Sequence, residues 1–350
     1  MGRTAPRPEG VSTGRAGDGK EVSLATIVLD NRAVRDLLDL PGVIRGVEQA
    51  FCDWALGRAT MPPKAYITVG CGDFRAMPAS IPGVAGVKWV NVHPDNPARG
   101  LPTVMAVWVH SDPETGYPLA VMDATEITAS RTAAAAAIAS RHLARPDSHV
   151  LGIIGAGRQA YTQVEAHAHL FRLSEVRVYD RSGAAAGRLA RAFPALNPRV
   201  VSLEEAAAAD IVCTLTPSRR PFLKREMVGP GTHINAVGAD AEGKQELEPA
   251  LLNGAMVVVD DIRQATAAGE INVPVSRGLF SPESVYGTLG EIVAGLKPGR
   301  QDPQIITIFD STGVAIQDAA VAKLVYERAL ARGDYLSVDL VGYSRPAGGK

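Results

Sequence analysis

The 350-residue sequence contains few of the residues that mark disulfide-linked or metal-binding proteins. Its three cysteines, Cys52, Cys71 and Cys213, lie far apart and form neither a C-x-x-C pair nor a zinc spacing. Such sparse cysteine usage is typical of a reducing compartment, and we expect a cytoplasmic protein. The seven histidines contain no H-x-x-x-H pair, and we expect His167 and His169, two apart on a helix, to be solvated. We therefore predict no metal site.

The sequence also lacks a charge imbalance and long apolar runs. The formal net charge is −1, so no global field attracts nucleic acid or an anionic membrane. No apolar run approaches the length of a membrane span. Residues 1–22 are rich in Gly, Arg, Pro, Ser and Thr, lack the apolar core of a signal peptide and predict a disordered tail. We expect a partner that is a small molecule, with no nucleic acid and no membrane.

The most informative stretch of the sequence runs from residue 148 to 182. The apolar run 150–154 predicts a buried parallel strand, and the G-x-G-x-x-A turn at 155–160 follows it directly. A helical segment of about 15 residues and a second strand, 176–179, come next. The glycine motif alone is weak, and an ordinary turn is the alternative. With a strand before it and a helix after it, the pattern predicts dinucleotide binding.

The chemistry of a dinucleotide explains the residue types in this stretch. Gly155 permits the tight turn, and Gly157 lets backbone amides approach a pyrophosphate at the helix N-terminus. The small Ala160 lets the helix pack close to the strand. Asp180, at the end of the second strand, is placed for the hydroxyls of an adenosine ribose, which favours NAD because a carboxylate repels a 2′-phosphate. Residues Arg181-Ser182 beyond it leave NADP open.

The order of predicted elements indicates an α/β protein with two domains. Strands and helices alternate over 147–310, which predicts a Rossmann fold with a doubly wound parallel sheet. Residues 23–146 contain several β-type runs separated by Gly and Pro, which predict a mostly antiparallel sheet. Together with 311–345, which contains the C-terminal helix, they form the predicted α+β substrate-binding and dimerisation domain.

Individual element predictions follow from apolar periodicity and from capping residues. The predicted strands are 24–29, 64–69, 73–78, 86–92, 103–110, 119–122, 150–154, 176–179, 200–201, 210–215, 233–237, 256–259 and 305–309. The predicted helices include one capped by Asp30 and the segments 41–56, 125–144 and 315–331, and the last packs back on the first domain.

Four cations and one acid are candidates for the chemistry. Lys64, Arg75 and Lys88 occur on apolar strands, and Arg131 lies among small residues on a helix. A buried lysine has a lowered pKa, which suits a general base or a carboxylate clamp. Asp240 follows a strand at the end where ligands bind. For each of these alone, a surface cation or a helix cap is the alternative. There is no G-x-S-x-G motif and no Walker loop to support a hydrolase or kinase.

Taken together, these segments resemble the ornithine cyclodeaminase/μ-crystallin family from about Ser23 to Val341. The resemblance is carried by 61–64 (MPPK), 75–79 (RAMPA), 87–97, 100–103, 130–133, 155–160, 233–240, 243–247 and 309–313. Several of them, with GEIN at 269–272, are similar to the archaeal-type NAD-dependent alanine dehydrogenases of that family. The resemblance implies reversible oxidation of L-alanine, with NAD and water, to pyruvate and ammonium. It also implies a homodimer joined through the first domain's sheets.

The resemblance also assigns expected roles to the candidate residues. Lys64, Lys88 and Arg131 match the family's clamp for the substrate carboxylate, and Lys88 also matches a proton donor and acceptor. Asp240 matches the catalytic acid of the cyclodeaminases. Where those enzymes typically have an arginine and then a glutamate, this chain has Lys64 and Arg75. Arg75 would repel a second substrate amine, which weakens the cyclodeaminase interpretation, and we expect Arg75 among the substrate-binding residues.

The expected NAD contacts combine the residues of the glycine motif with positions implied by the resemblance. They are Thr103, Arg131, Thr132, Gly155, Gly157, Arg158, Gln159, Ala160, Asp180, Arg181, Ser182, Thr216, Val237, Gly238, Ala239, Asp240, Lys244 and Ser311. Three alternatives to the dehydrogenase stay open at this point: an ornithine or lysine cyclodeaminase that recycles its NAD, a ketimine reductase, and a non-catalytic NAD(H)-binding protein.

Overall fold

The computed structural model of the chain describes residues 12–13 and 25–342, so most of the predicted tail over 1–22 lies outside the described residues. The strands are β1 (Ser12–Thr13), β2 (Thr26–Leu29), β3 (Ala65–Val69), β4 (Gly72–Ile81), β5 (Val84–Val92), β6 (Val104–Ser111), β7 (Pro118–Asp123), β8 (Val150–Ile154), β9 (Glu175–Tyr179), β10 (Pro198–Val200), β11 (Ile211–Thr214), β12 (His233–Ala236), β13 (Met256–Val259), β14 (Gly287–Thr288), β15 (Thr307–Asp310) and β16 (Leu336–Val338). The α-helices are α1 (Asn31–Leu37), α2 (Leu40–Ala55), α3 (Thr125–Leu143), α4 (Arg158–Leu170), α5 (Gly183–Ala192), α6 (Leu203–Ala207), α7 (Pro249–Leu252), α8 (Ile262–Ala268), α9 (Asn272–Ser276), α10 (Leu289–Val293) and α11 (Ala315–Arg332).

One of the two sheets has the doubly wound parallel topology that the sequence predicts. Its strand order is β10-β9-β8-β11-β12-β15-β13-β14, and every pair in it is parallel. Central strands such as β11 and β15 are buried at every residue, because helices cover both faces of the sheet. The chain reverses its winding between β8 and β11, where ligands bind in such folds. The predicted Rossmann fold is confirmed.

The second sheet combines the N-terminal segments with the end of the chain. Its order is β1-β16-β2-β7-β6-β5-β4-β3, and only the β2–β7 pair is parallel. Burial alternates along β4 from Arg75 to Ile81, as expected for a strand with one face on the core. Helix α11 packs on α2, β4 and β5, so the C-terminal helix lies against elements of the N-terminal part of the chain. The domain limits at 146 and 311 stay predictions.

Helix α3 connects the two sheets and carries Arg131. Its alanine run, 133–137, is fully buried, because side chains of this size allow α4 to pack closely against it. Asp123 caps the helix: its Oδ2 accepts from the backbone N–H groups of Thr125 and Glu126. The helix therefore fixes the position of Arg131 between the two sheets.

The prediction that His167 is solvated is wrong. Its ring is fully buried and hydrogen-bonds Ser140 Oγ at 2.9 Å and the carbonyl of Gln163 at 2.8 Å. The physical reason is the close α3–α4 contact, which covers this face of α4 and supplies polar partners for the ring. His169 is exposed, as predicted. Within the described part of the chain, no helix is long and apolar enough to cross a membrane.

Candidate functional site

A cavity of about 490 Å³ lies in a cleft between the two sheets, at the carboxyl ends of the parallel strands. It brings together predicted site residues from both domains. Those that line it are Lys64, Arg75, Lys88, Thr103, Arg131, Thr132, Gly157, Arg158, Gln159, Thr216, Val237, Gly238, Asp240, Lys244 and Ser311. Positions more than 200 residues apart in sequence therefore share one site.

A second cavity, of about 700 Å³, continues along the parallel sheet on the side of β9. Gly155, Asp180 and Arg181 line it, and Gly157 and Thr216 line both cavities. The two spaces therefore adjoin at the glycine turn, an arrangement that suits a two-part ligand. The remaining predicted contacts line neither cavity: Ala160 and Ala239 are buried, and Ser182 caps α5.

The glycine turn has the local geometry that the sequence predicts. Gly155 has φ +103°, a left-handed conformation that favours glycine, and a Cβ there would lie 3.0 Å from the carbonyl oxygen of Leu215. The Asp180 carboxylate accepts hydrogen bonds of 2.7 Å from the backbone N–H groups of Ala156 and Ser182. Asp180 thus fixes the turn to the end of β9 while remaining at the cavity wall.

Three cations, Lys64, Lys88 and Arg131, line the end of the cleft that faces the first sheet. Lys64 Nζ donates to the carbonyl oxygen of Thr312 at 2.7 Å. Lys88 is fully buried, and its Nζ donates to Asp318 at 2.7 Å and to Thr128 Oγ1 at 3.3 Å. Three cations at one end of the cleft are an arrangement suited to a ligand that carries a carboxylate.

Burial and mutual repulsion weaken the hold of the two lysines on their protons. Burial, followed by the charge of Arg131, lowers the pKa of Lys88 to about 7, although Asp318 opposes the shift. Burial lowers the pKa of Lys64 to about 8, against the attraction of Asp260. An amine with a pKa near neutrality is suited to accept and return protons, so Lys88 has the properties of a general base.

Arg75 and Asp240 form an ion pair across the cleft. Arg75 Nη1 donates to Asp240 Oδ2 at 2.9 Å, and its Nε donates to Asp73 at 2.6 Å. Lys244 binds the other oxygen of Asp240. Burial opposes ionisation of Asp240, but the charges of Arg75 and Lys244 outweigh it and hold the pKa of this carboxyl well below its usual range. Asp240 is therefore an ionised hydrogen-bond acceptor in this arrangement.

Polar side chains that the sequence motifs do not reveal hold this site in place. Asp318 and Gln317, on the first turn of α11, bind Arg131 Nε at 3.1 Å and Nη1 at 2.6 Å. Glu246 accepts from Thr216 and from the N–H of Gly238. A usable signal exists for Asp318, because a charged residue interrupts an apolar helix directly after the 309–313 segment. Among the described residues, no group of His, Cys, Asp or Glu could hold a metal ion.

Comparisons with known proteins agree with the sequence motifs. The chain matches the model of the "Ornithine cyclodeaminase/mu-crystallin family" over residues 25–333. Alanine dehydrogenase of Archaeoglobus fulgidus is 51% identical over 311 residues, which cover 88% of this chain and 97% of that protein. An archaeal alanine dehydrogenase dimer solved with bound NAD has a TM-score of 0.89 and 50% identity, covering 90% of this chain and 99% of that one.

A further solved relative acts on a different substrate. The Δ1-pyrroline-2-carboxylate reductase of Thermococcus litoralis, in complex with NADH and L-proline, has a TM-score of 0.86 and 36% identity, covering 89% of this chain and 99% of that one. The fold, the order of the motifs and the full-length similarity lead to one conclusion. The chain belongs to the ornithine cyclodeaminase/mu-crystallin family.

Proposed function

We propose that this protein is an NAD-dependent alanine dehydrogenase, which converts L-alanine to pyruvate and ammonium in a reversible reaction. The observation that carries the proposal is the group of three cations, Lys64, Lys88 and Arg131, in the same cavity as the glycine turn. A carboxylate bound by these cations would hold an amino acid next to a dinucleotide. The 51% identity to an alanine dehydrogenase supports the choice of substrate.

The residues of the cleft fit a dinucleotide. Gln159 Oε1 and Ser311 Oγ are buried atoms without a hydrogen-bond partner in the described part of the chain, and both residues line the cavity. Apart from Gly157 and its immediate neighbours in the chain, no described atom lies within 4 Å of the place that a Cβ of Gly157 would occupy, so the start of α4 has space for a phosphate. We expect the segment around Asp180 to hold the adenosine ribose and residues 237–240 to contact the nicotinamide half.

The bound nicotinamide would supply the hydride acceptor, and the protein's own groups bind the substrate and move its protons. Lys64 and Arg131 would bind the substrate carboxylate from two sides and so orient the Cα–H bond of the substrate. Neutral Lys88 accepts a proton from the substrate amine or from the water that displaces ammonia. Of the two lysines, Lys88 has the pKa nearer to neutrality, so its amine is the one better suited to this transfer once hydride loss has produced an iminium carbon.

Asp240 and Arg75 complete the pocket with different roles. The ionised Asp240 would orient the attacking water as a hydrogen-bond acceptor. Arg75 is paired with Asp73 and Asp240, so its charge links β4 to the loop after β12. This pairing leaves no free acid at that position for the second amine of ornithine or lysine, which argues against a cyclodeaminase.

A homodimer through the first sheet is part of the proposal. One face of this sheet carries Ile67, Phe74, Trp89 and Val107. Ile67 lies opposite Phe74, and Trp89 lies opposite both Ala76 and Val107 on its two neighbouring strands; Phe74 and Ala76 are two residues apart on β4 and so share a face. Ile67, Trp89 and Val107 are between 42% and 54% exposed, and the rings of Phe74 and Trp89 stack at 5.5 Å. Such an apolar face is typical of a protein interface.

The three free cysteines agree with the predicted cytoplasmic location.

The test is absorbance in the NADH band with purified protein, NAD⁺ and either L-alanine or L-ornithine at alkaline pH. We expect NADH to accumulate with alanine alone. Ammonia release from ornithine without net NADH would replace the proposal with a cyclodeaminase. If neither amino acid gives NADH or ammonia, and a cyclic imine then causes oxidation of NADH or NADPH, a ketimine reductase would replace the proposal.

A further inference from the structure

Asp318 is the one acid that contacts both Lys88 and Arg131 in the described part of the chain. Its side chain is fully buried on the first turn of α11. Both of its carboxylate oxygens lie 2.7 Å from Lys88 Nζ, and Oδ1 also accepts from Arg131 Nε at 3.1 Å. A single carboxylate therefore bridges two of the three cations that the proposed substrate carboxylate would meet.

The surroundings of Lys88 make the Asp318 carboxylate important for the protonation state of the Lys88 amine. Lys88 is faced by Arg131 on α3, by Lys64 on the segment before β3, by the hydroxyl of Thr128 on α3 and by Asp318 on α11. Among these groups, only Asp318 favours the charged amine. Burial and the two neighbouring cations disfavour it.

Arg131 is held in place by the same segment of chain. Gln317 Oε1 accepts from its Nη1 at 2.6 Å. Gly313, at φ +73°, passes so close that a Cβ there would lie 2.4 Å from that nitrogen. The guanidinium is thus confined between the 313 turn and the start of α11, and Asp318 fixes its Nε edge.

We propose that Asp318 is a positioning residue of this active site, whose carboxylate holds Lys88 and Arg131 in the arrangement that receives the substrate and serves as the counter-ion when Lys88 carries a proton. The inference rests on the proposed dehydrogenase function. In each turnover the proton passes from the substrate amine or from water to Lys88 Nζ. Asp318 contacts no substrate atom and acts through Lys88 and Arg131, as the buried acid of a Ser-His-Asp triad acts through its histidine.

The test compares the wild-type protein with Asp318→Asn, which keeps the shape and removes the charge. The measurement is kcat/KM for L-alanine oxidation between pH 5 and 10. We expect the ascending limb near pH 7 to move down by about one to three pH units, because the amine loses its counter-ion. We also expect kcat/KM at pH 8 to fall by about tenfold or more, because both cations lose their alignment.

Gln317→Met is the matched control, because Gln317 contacts Arg131 but not Lys88. It should raise KM for alanine and leave the ascending limb in place. If Asp318 had a purely structural role, Asp318→Asn would have a lower melting temperature, but the ascending limb of its pH profile would stay at the wild-type pH. That result would overturn the proposal. If Asp318→Asn does not fold, Asp318→Glu takes its place. It should keep the limb near pH 7 but lose about tenfold in kcat/KM, and wild-type activity in it would overturn the proposal.

The proposed function is tested separately by the wild-type protein in the same assay. If wild type is inactive with alanine, the dehydrogenase proposal fails on its own. The role of Asp318 is then measured by calorimetric binding of pyruvate across the same pH range. Weaker binding by Asp318→Asn at neutral pH, with a shifted pH dependence, supports the positioning role, and binding that matches wild type contradicts it.

Discussion

At the scale of single residues, the neighbours of an ionisable group decide what it can do. Lys88 and Asp240 are both candidates for proton transfer by sequence, yet their surroundings act in opposite directions. Burial and Arg131 bring the pKa of Lys88 to about 7, whereas Arg75 and Lys244 keep Asp240 ionised. A proton acceptor works best with a pKa near the working pH. We therefore expect Lys88 to act as the base and Asp240 to accept a hydrogen bond from water.

Replacing Lys88 tests this division directly. In the wild type, we expect kcat/KM for alanine to rise with pH through about 7, because only the neutral amine accepts a proton. Lys88→Met should lower kcat by about 10²- to 10⁴-fold, the usual contribution of a general base, and should remove this limb. Lys224→Met, at an exposed lysine outside the cleft, should match wild type. A pH profile of steady-state rates measures both, and a Lys88→Met enzyme with near-normal turnover would exclude Lys88 as the base.

What the sequence can predict at this scale is the type of residue, not its partner. Lys64, Lys88 and Arg131 stand out as cations in apolar surroundings, and the structure places all three in one cavity. Their counter-ion Asp318 lies 230 positions from Lys88, so no local spacing connects the two. The prediction that His167 is solvated is wrong for the same reason, because its partner Ser140 lies on another helix. Long-range contacts of this kind depend on how the elements pack.

At the scale of elements, apolar runs predict the strands of the parallel sheet closely. The predicted segments 150–154 and 256–259 coincide with β8 and β13, because buried parallel strands are uniformly apolar. Residues 262–293 receive no prediction, although they contain α8, α9, β14 and α10. These pieces have two to seven residues, too few for a helical or strand period to emerge.

The loops after β11 and β12 depend on one buried carboxylate that sequence patterns do not reveal. Glu246 accepts from Thr214 Oγ1 at 2.7 Å, from Thr216 N–H at 2.7 Å and from Gly238 N–H at 2.9 Å. Thr216 and Gly238 line the proposed nicotinamide site. The acid thus ties together two strand ends that must hold one ligand.

We therefore expect Glu246→Gln to loosen both loops. An amide has only one acceptor oxygen, so at least one buried N–H or hydroxyl loses its partner at a cost of about 1–3 kcal/mol. The dissociation constant for NAD, measured by titration calorimetry, should rise by about tenfold or more. Glu204→Gln, at an exposed position of α6, is the control and should bind as wild type does. Unchanged NAD affinity in Glu246→Gln would show that the loops hold their shape without this acid.

At the scale of the whole molecule, the two faces of the first sheet differ in what they contact. Lys88 and Trp89 are neighbours on β5 and point to opposite sides. Lys88 lines the cleft, whereas Trp89 lies on the apolar face proposed as the dimer interface. Packing of a second copy on that face would restrict the motion of the strand that carries the catalytic lysine. We therefore expect association and catalysis to be linked through β5.

This linkage makes a prediction about assembly. Trp89→Glu places a charge in the centre of the proposed interface, where burying an unpaired carboxylate is strongly unfavourable. We expect wild type to sediment as a dimer and the variant as a monomer, with kcat for alanine reduced because β5 is packed on one face only. Leu296→Glu, at a 58% exposed leucine on the other domain, should remain a dimer with normal activity. A dimeric Trp89→Glu protein would move the interface elsewhere, and a fully active monomer would separate assembly from catalysis.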